Sequence, residues 1–309
     1  MKTPIPKIIH QIWSGVDEPL PEYFSVLGET WKKYHPDWRY EFWDNDRMNS
    51  FVQQNYPDYW EVYSNFQYNV QRWDAIRYLI LDKIGGMYVD FDAECLSSHN
   101  TLLADKTCCF SMEPEAHGKV FNKALYFNNA LMARIPNHPF IKTIIENVFQ
   151  YKRSSRELLW GEKILEILNT TGPLLLVKLY EEYPDKESIY LIPAKYVSPF
   201  TDKEIKLLRQ GYESDELENK LEEAYSIHYF FNGWVQTKQN MGQKIPSIIH
   251  QIWSGVDGPL PEHFRVLGET WKRDYPNWEY KLWDNRMMNE FIQEFYTQYW
   301  VIYNQFPYI

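Results

Sequence analysis

Two carboxylates one residue apart, Asp90 and Asp92, close the run Arg77-Tyr78-Leu79-Ile80-Leu81-Asp82-Lys83-Ile84-Gly85-Gly86-Met87-Tyr88-Val89-Asp90-Phe91-Asp92. The run reads as an apolar helix, a glycine stop, a short buried strand and then the acidic pair. Alternate residues of a strand point the same way. Asp90 and Asp92 are therefore expected on one side at the strand's end, with Phe91 on the other. Like charges held that close repel unless a cation lies between them. A hard divalent ion with oxygen ligands removes that cost, and such an ion can hold a diphosphate. Aspartate is depleted within strands, and a bare Asp-x-Asp is common by chance. Its place after a helix, a Gly-Gly stop and Tyr88-Val89 makes it a stronger signal.

Other residues gain interest from their position relative to this pair. Asp74 and Arg77 are three apart on one helix and share a face. They form either a surface ion pair of little worth or part of a site at the sheet's edge. In the second reading Arg77 binds phosphate through its planar, bidentate fork, and Asp74 takes sugar or ribose hydroxyls. His228 ends a short strand, where a neutral imidazole can complete a cation's shell. Trp234 follows a glycine, and its indole N–H can donate to a phosphate. Trp13 ends the first strand, where its ring packs in the core or stacks on a base. As isolated residues, His228 and Trp234 are ordinary core or surface groups.

These residues need elements to hold them. Lys7 to Trp13 reads as a short apolar strand. Pro21 to Tyr34 reads as a helix, with Phe24, Leu27 and Trp31 at helical spacing and Pro21 in its first turn. Arg39 to Trp43 is a second strand, and Asp44 or Asp46 caps the helix after it. Val70 to Ile84 is a strong helix stopped by Gly85 and Gly86, and Met87 to Phe91 is the strand that delivers the aspartates. Asn129 to Ala133 and Ser188 to Ile192 read as strands. Helices are expected over His138 to Tyr151, Arg156 to Leu168, Thr170 to Tyr183 and Glu213 to Ala224, before a last strand from Ser226 to Phe230. Alternating strands and helices imply a mainly parallel sheet covered on both faces. Ligands of such sheets bind at the strands' carboxyl ends, where this reading places Trp13, Asp44 and Asp90.

Composition narrows the class. A hydrophobic content of 44% allows a sizeable core, so disorder is not the default. The net charge of −10 with no basic stripe argues against a nucleic-acid binder. It also makes a metal useful if the ligand is a phosphorylated anion. Cys95, Cys108 and Cys109 have no metal-ligand spacing, and adjacent Cys108 and Cys109 are poor disulfide partners. Reduced, buried thiols in a cytoplasmic protein are expected. The first residues lack an apolar signal core, and no stretch reaches the ~18 apolar residues of a membrane span.

The chain also repeats itself. Residues 5–68 and 245–308 align without a gap at an offset of 240, and 40 of the 64 positions are identical. Ile8-Ile9-His10-Gln11-Ile12-Trp13-Ser14-Gly15-Val16-Asp17 returns as Ile248-Ile249-His250-Gln251-Ile252-Trp253-Ser254-Gly255-Val256-Asp257. The spacing is far too long for a solenoid. Residues 1–240 are expected to form one domain. Residues 244–309 are expected to be a truncated repeat of its strand–helix–strand–helix start, without the Asp-x-Asp motif and catalytically inert.

Together these segments resemble glycosyltransferases of family 32. The likeness rests on Ile5 to Trp13, on Phe42-Trp43-Asp44, on Arg72-Trp73-Asp74-Ala75-Ile76-Arg77 through Asp92, on Asn129 to Ala133 with His138-Pro139-Phe140, on Thr171-Gly172-Pro173 and on His228 to Trp234. It spans about residues 5 to 236. The resemblance implies a GT-A-type fold, Rossmann-like, with a mainly parallel sheet flanked by helices. It implies a nucleotide-sugar donor (a UDP- or GDP-sugar), Mn²⁺ or Mg²⁺, and retention of anomeric configuration. It further implies that Trp13, with Ile12, meets the base, and that Asp74, Arg77, Tyr88, Asp90 and Asn129 hold the sugar nucleotide. Asp92 would bind the metal directly with Asp90 and His228, and Trp234 would steady the leaving diphosphate. Asp90, Asp92 and Arg77 are the catalytic candidates. The final motif reads Asn232-Gly233-Trp234 where many relatives have Ser-Trp.

The implied acceptor is a glycan or glycolipid, such as a capsular polysaccharide. The implied location is the cytoplasm, with peripheral contact at the membrane's inner face through the acceptor. Two rivals remain at this stage. Haloacid-dehalogenase-type phosphatases also carry Asp-x-Asp after an apolar strand, but they usually place Thr or Val where this chain has Glu94. A sugar-binding relative that has lost activity is the other.

Overall fold

A computed structural model describes residues 4–16, 18–152, 160–212, 214–231, 247–256, 258–297 and 300–305. The chain divides into two units, Met1–Asn232 and Gly233–Ile309.

The first unit opens with β1 (Ile8–Ile12), α1 (Glu22–Tyr34), β2 (Arg39–Trp43), α2 (Asn45–Asn55), α3 (Trp60–Ser64), α4 (Asn69–Ile84) and β3 (Gly86–Val89). It continues through β4 (Ala93–Cys95), α5 (Asn100–Leu103), β5 (Cys108–Met112), α6 (Glu115–Val120), β6 (Phe127–Arg134), α7 (Pro139–Val148), α8 (Trp160–Thr170) and α9 (Pro173–Glu182). It ends with β7 (Tyr190–Ile192), α10 (Ala194–Val197), α11 (Asp202–Arg209), α12 (Asp215–Glu222) and β8 (Ser226–His228). Six strands form one sheet in the order β2-β1-β3-β6-β5-β7. β1 runs parallel to β2 and β3, and β5 runs parallel to β7, while β6 is antiparallel to both its neighbours. The α/β class and mainly parallel sheet expected from the sequence are present. β4 and β8 make a separate antiparallel pair. Trp13, Asp44 and Asp90 each follow directly on a strand of the sheet.

The expected helix over Val70 to Ile84 is α4, and it is the buried axis of the unit. Ala75, Ile76 and Tyr78 to Leu81 are fully buried. A helix buried all round must satisfy each polar side chain internally. Asp82 accordingly accepts from Arg134 Nη2 (3.0 Å) and from Tyr56 Oη (2.8 Å). Gly85 ends the helix at φ +72°, and Gly86 opens β3 at φ +100°, values that L side chains rarely adopt. A Cβ on Gly86 would lie 2.6 Å from the Ile8 carbonyl oxygen. Only glycine lets β3 lie this close to β1.

His10 fastens the same junction. Trp43 Nε1 donates to its Nδ1 (3.1 Å), so Nε2 carries the proton and donates to the Gly85 carbonyl (2.9 Å). Burial pushes the His10 pKa down to about 4. A second buried group joins His35, Cys95 and His99, close enough together for a metal ligand set. Their hydrogen bonds indicate core packing instead. His35 Nε2 accepts from the His99 backbone N–H (3.0 Å), which leaves Nδ1 to donate to the Trp31 carbonyl (3.1 Å). The Cys95 thiol donates to Ser97 O (3.3 Å), and burial pushes its pKa up to about 12. All three cysteines are free and buried, as expected.

Some elements differ from expectation. β3 stops at Val89, so Asp90 lies just past it and Phe91 and Asp92 sit in a turn closed by Ala93 N–H on Asp90 O (3.3 Å). The two carboxylates converge through this turn rather than through strand alternation. β5, whose Cys108-Cys109 start suggested only buried thiols, is an interior strand, and α11 had no sequence expectation. The start of the helix expected from Arg156 lies outside the described residues through residue 159, and its body is α8.

The second unit contains β9 (Ile248–Ile252), α13 (Glu262–Asp274), β10 (Glu279–Trp283), α14 (Asn285–Phe295) and α15 (Trp300–Tyr303), with β9 parallel to β10. This is the element order of residues 8–64 again.

Buried neutral histidines make the fold sensitive to acid. His10 has a folded pKa near 4 against an ordinary value of 6.5, and burial lowers His35 and His99 as well. Protons then bind the unfolded chain first as pH falls below 6.5. The stability from this source is complete above pH 6.5 and is lost as pH falls towards 4, by about 3 kcal/mol for His10 alone. Denaturant titrations from pH 7 to pH 4 should show this loss, and His10→Gln should flatten it. An unchanged slope in His10→Gln would contradict the assignment.

Candidate active site

The site forms where the ends of β1 and β3, the middle of α4 and β6, the turn between α8 and α9, the end of β8 and the segment after it meet. Its centre is Arg77, nearly buried on α4. Nε donates to the Trp73 carbonyl (3.1 Å), and Nη1 donates to Asp90 Oδ1 (3.2 Å) and to the Asn129 carbonyl (3.0 Å). Nη2 lies 3.3 Å from Asp74 Oδ1, and the guanidinium sits 4.6 Å from the Tyr88 ring centroid. Burial works against this charge, but Asp90, Tyr88 and Asp74 outweigh it and hold the pKa above the usual arginine value.

This geometry corrects one expectation. Asp74 and Arg77 are a buried pair rather than a surface pair. With Nε and Nη1 committed to protein acceptors, Arg77 has no free bidentate face for phosphate. Its charge sets the field of the site and orients the two aspartates.

Asp74 is held on both oxygens. Oδ1 accepts from Asn129 Nδ2 (2.8 Å), and Oδ2 accepts from Thr171 Oγ1 (2.8 Å). Burial raises its pKa to about 6, against the pull of Arg77, Thr171 and Asn129. Asn129 also donates to Tyr78 Oη (2.9 Å), which donates to the Thr171 carbonyl (2.7 Å). Thr171, from the Thr-Gly-Pro motif, is the residue that sequence reading left without a role. It lies 97 residues from Asp74, and only the tertiary fold brings them together.

Asp90 is anchored through Oδ1, which accepts from Arg77 and from Tyr88 Oη. This leaves Oδ2 for a ligand. Burial raises its pKa, Arg77 opposes the rise and Asp92 adds to it. Asp92 Oδ1 lies 3.2 Å from His228 Nε2, and Oδ2 accepts from the Phe231 N–H (3.0 Å). Burial works against the Asp92 charge, but His228 and the backbone donor outweigh it and lower the pKa. His228 moves the other way. Burial lowers its pKa, and the Asp92 and Asp90 carboxylates raise it to about 9. Its Nδ1 is buried with no hydrogen-bond partner among the described residues. Phe230 adopts φ +47°, a left-handed backbone costly for an aromatic residue. That turn directs the next N–H back to Asp92.

One oxygen of Asp90, one of Asp92 and one nitrogen of His228 lie within 4.8 Å of one another. Two carboxylates and an imidazole suit a divalent ion. Carboxylate oxygens suit Mg²⁺ and Mn²⁺. The mutual repulsion of the aspartates fits a cation between them.

Aromatic rings border the nest. Trp13 packs on Phe24 (5.4 Å between centroids) and edge-on to Phe91 (6.3 Å), and its Nε1 donates to Glu18 O (2.9 Å). Phe24 and Tyr23 meet Phe231 (5.6 and 5.5 Å), over which Arg209 lies at 4.7 Å. Sequence reading missed Tyr23, Phe231 and Arg209, which no local motif marks. The Ile12 and Tyr88 side chains are buried. Ile12 belongs to the core, and Tyr88 reaches the site through Asp90 and the Arg77 guanidinium. Trp234, with Asn232 and Gly233, lies outside the described residues.

The account of Asp74 makes a prediction. Thr171→Val keeps the volume but leaves a buried carboxylate oxygen short of a donor, at a cost of roughly 1–3 kcal/mol. Thr171→Ser retains the donor and should stay within ~1 kcal/mol of the parent protein. Equal denaturation midpoints for the two variants would refute the role assigned to the hydroxyl.

The chain is similar to known glycosyltransferases. Residues 21–109 match the model of the glycosyltransferase sugar-binding region containing the DXD motif. Mannosyl phosphorylinositol ceramide synthase SUR1 of Saccharomyces cerevisiae is 30% identical over 179 residues, 58% of this chain and 42% of the yeast protein. The chain thus spans less than half the length of that relative. Uncharacterized glycosyltransferase L373 of Acanthamoeba polyphaga mimivirus is 32% identical over 199 residues, 63% of this chain and 73% of the viral protein. Among solved structures, the PaToxG glycosyltransferase aligns with a TM-score of 0.43 at 17% identity, over 88% of this chain and 86% of that one. The match across the Asp-x-Asp block, together with the viral relative of which this chain covers nearly three quarters, shows that the chain belongs to the family 32-type glycosyltransferases with a DXD-containing sugar-binding region.

Proposed function

We propose that the first unit transfers a hexose from a UDP- or GDP-sugar to a glycan or glycolipid acceptor, with retention of configuration and with Mn²⁺ or Mg²⁺ bound by Asp92, Asp90 and His228. The observation that carries this reading is the convergence of Asp90, Asp92 and His228 beside the buried Arg77 charge. The names of the fungal relatives, mannosyltransferases that act on inositol phosphoceramide, support a hexose donor and a glycolipid acceptor. Among the described residues, no helix is long and apolar enough to cross a membrane. A glycolipid acceptor would present its headgroup at a membrane surface.

In this reading a bound divalent ion neutralises the charge that grows on the leaving diphosphate. The chain's own residues do the rest. Asp92, locked by His228 and the Phe231 N–H, presents a fixed carboxylate, so no reorganisation is needed as charge moves. Asp90 Oδ2, left open by the Arg77 and Tyr88 bonds on Oδ1, faces the ion or the sugar nucleotide. Arg77 keeps Asp90 and Asp74 oriented and adds positive potential towards the diphosphate. Asp74 and Asn129 take sugar or ribose hydroxyls, and Trp13 meets the base. The glycosidic bond to the diphosphate breaks as the sugar gains oxocarbenium character. The acceptor hydroxyl then attacks from the same face and passes its proton to the departing phosphate oxygen. Both oxygens of Asp74 accept from protein donors, which argues against Asp74 as the carboxylate of a covalent glycosyl intermediate.

The test is a sugar-nucleotide hydrolysis screen with Mn²⁺, beside an Asp92→Asn variant. Acceptor-free hydrolysis of one UDP- or GDP-sugar is expected, reduced at least about a hundredfold in the variant. Equal nucleotide binding by both proteins with no turnover in either would replace this reading with a binding protein that has lost activity.

A further inference from the structure

A chain of polar contacts leads from the backbone of Asp90 to the turn that holds Asp92. The Asp90 N–H donates to Ala130 O (2.8 Å), and the Ala130 N–H donates to Asn128 Oδ1 (3.1 Å), which also accepts from Ser111 Oγ. Asn128 Nδ2 donates to Glu113 Oε1 (2.9 Å), and Glu113 Oε2 accepts from His117 Nδ1 (2.6 Å). His117 Nε2 accepts from the Asp202 N–H (3.1 Å) at the start of α11 and lies 3.5 Å from the Asp202 carboxylate. An accepting Nε2 assigns the proton to Nδ1. The imidazole thus ties α6 to α11. α6 itself is anchored by the Lys123 N–H on Gly118 O (2.9 Å). The Glu113 and His117 side chains are only 11% and 14% exposed. A carboxylate out of water with both oxygens matched in this way is a rigid support.

The His117 ring meets Phe230 edge-to-face, with 4.9 Å between centroids and 82° between planes. Phe230 in turn lies 4.2 Å from the His228 ring, so it packs against both imidazoles. It is also the residue with the left-handed φ of +47°. Such a backbone persists only where its surroundings over-determine it. Phe230 packs on the small core of Phe200, Ile205, Leu217 and Ile227. His117 adds an oriented wall, because Glu113 and Asp202 fix the plane of its ring. The turn matters because the next residue donates its N–H to Asp92 Oδ2 (3.0 Å). Glu113 also lies close enough for its charge to reach the nest. Burial lowers the His228 pKa, Asp92 and Asp90 raise it, and Glu113 adds to the rise.

We propose that Glu113 and His117 are positioning residues for Asp92. Glu113 orients the His117 ring, the ring keeps Phe230 in its left-handed turn, and the turn keeps the Phe231 N–H on Asp92 Oδ2. The consequence for catalysis rests on the reading of Asp90, Asp92 and His228 as the divalent-ion site. A carboxylate ligand already held by its outer partners loses little freedom when the ion binds. Loss of such a partner costs about 10–100-fold in metal affinity. The same chain of bonds reaches the Asp90 backbone through β6. One network therefore touches both acidic residues, and it draws on β5, α6 and α11, none of which supplies a ligand atom. His117 acts on Asp92 only through Phe230.

The test uses the full 309-residue chain with two variants. His117→Leu removes both nitrogen bonds. Glu113→Gln keeps the shape and the acceptor for Asn128 but turns an amide NH2 towards the His117 Nδ1–H. Ile141→Val, which trims a buried core residue on α7 away from the nest, is the control for loosened packing. Residue-resolved amide exchange without metal reads the Phe231 N–H, and Mn²⁺ titration reads the ion site. His117→Leu and Glu113→Gln should each speed Phe231 exchange at least about tenfold and weaken Mn²⁺ binding about tenfold. Ile141→Val should leave both near the parent values. Unchanged Phe231 exchange in the two variants would overturn the proposal. So would faster exchange with unchanged Mn²⁺ affinity, or equal effects in Ile141→Val, which would reduce the pair to packing. A parent chain that binds no Mn²⁺ would overturn the metal reading instead, and the exchange rates alone would then decide whether the pair holds Asp92.

Discussion

Everything at the site depends on one buried positive charge. A guanidinium with so little exposure is tolerable only if its donors are matched and counter-charges lie close. Arg77 meets this demand with the Trp73 and Asn129 carbonyls, Asp90, Asp74 and the face of Tyr88. The same bonds solve the opposite problem for the aspartates. Asp90 and Asp74 are carboxylates taken out of water, and without Arg77 burial would favour their neutral forms. The arrangement is a reciprocal lock in which each ion makes the other affordable, and it fixes the side chains that face the ligand.

The fold supplies that lock by bringing three distant stretches to one sheet edge. The Gly85–Gly86 step lets β3 close on β1, and the His10 bond to the Gly85 carbonyl pins it. Asp90 and Asp92 then project at the carboxyl end of the sheet, where α/β folds place their ligands. β6 runs antiparallel through the middle and carries Asn129 to Asp74. The turn between α8 and α9 adds Thr171, the end of β8 adds His228, and the segment after it adds the Phe231 N–H. Each addition lies far along the chain from what it touches. Loss of packing at any of these elements should therefore reach the site through orientation as well as through stability.

What was legible in the sequence was local. The helix, glycine stop and acidic pair lie within the 24 consecutive residues from Asn69 to Asp92, and periodicity and backbone preference mark each one. The strand ends at Trp13, Asp44 and Asp90 followed from the same short-range signals. The role of Arg77 was not legible, because an (i, i+3) ion pair looks the same in sequence whether it is exposed or buried. Burial makes Arg77 an internal counter-charge to Asp74 and Asp90. The Phe231 N–H could not be read from side-chain chemistry, since a backbone donor exists at nearly every position. The convergence of Asp90 and Asp92 was anticipated, but a turn produces it where strand alternation had been the expected cause.

The repeat gives an internal control on these arguments. The same residues that are core in the first unit are surface in the second, so their burial follows from what covers them and not from their identity. No counterpart of the acidic nest lies among the described residues of the second unit. The central claim for the first unit is that Asp90, Asp92 and His228 bind a divalent ion that in turn holds a diphosphate. The most direct measurement is calorimetric titration of UDP and GDP into the chain with and without Mn²⁺. The account predicts that one of the two binds tightly only when Mn²⁺ is present. Equal affinity in the presence and absence of the metal would contradict it.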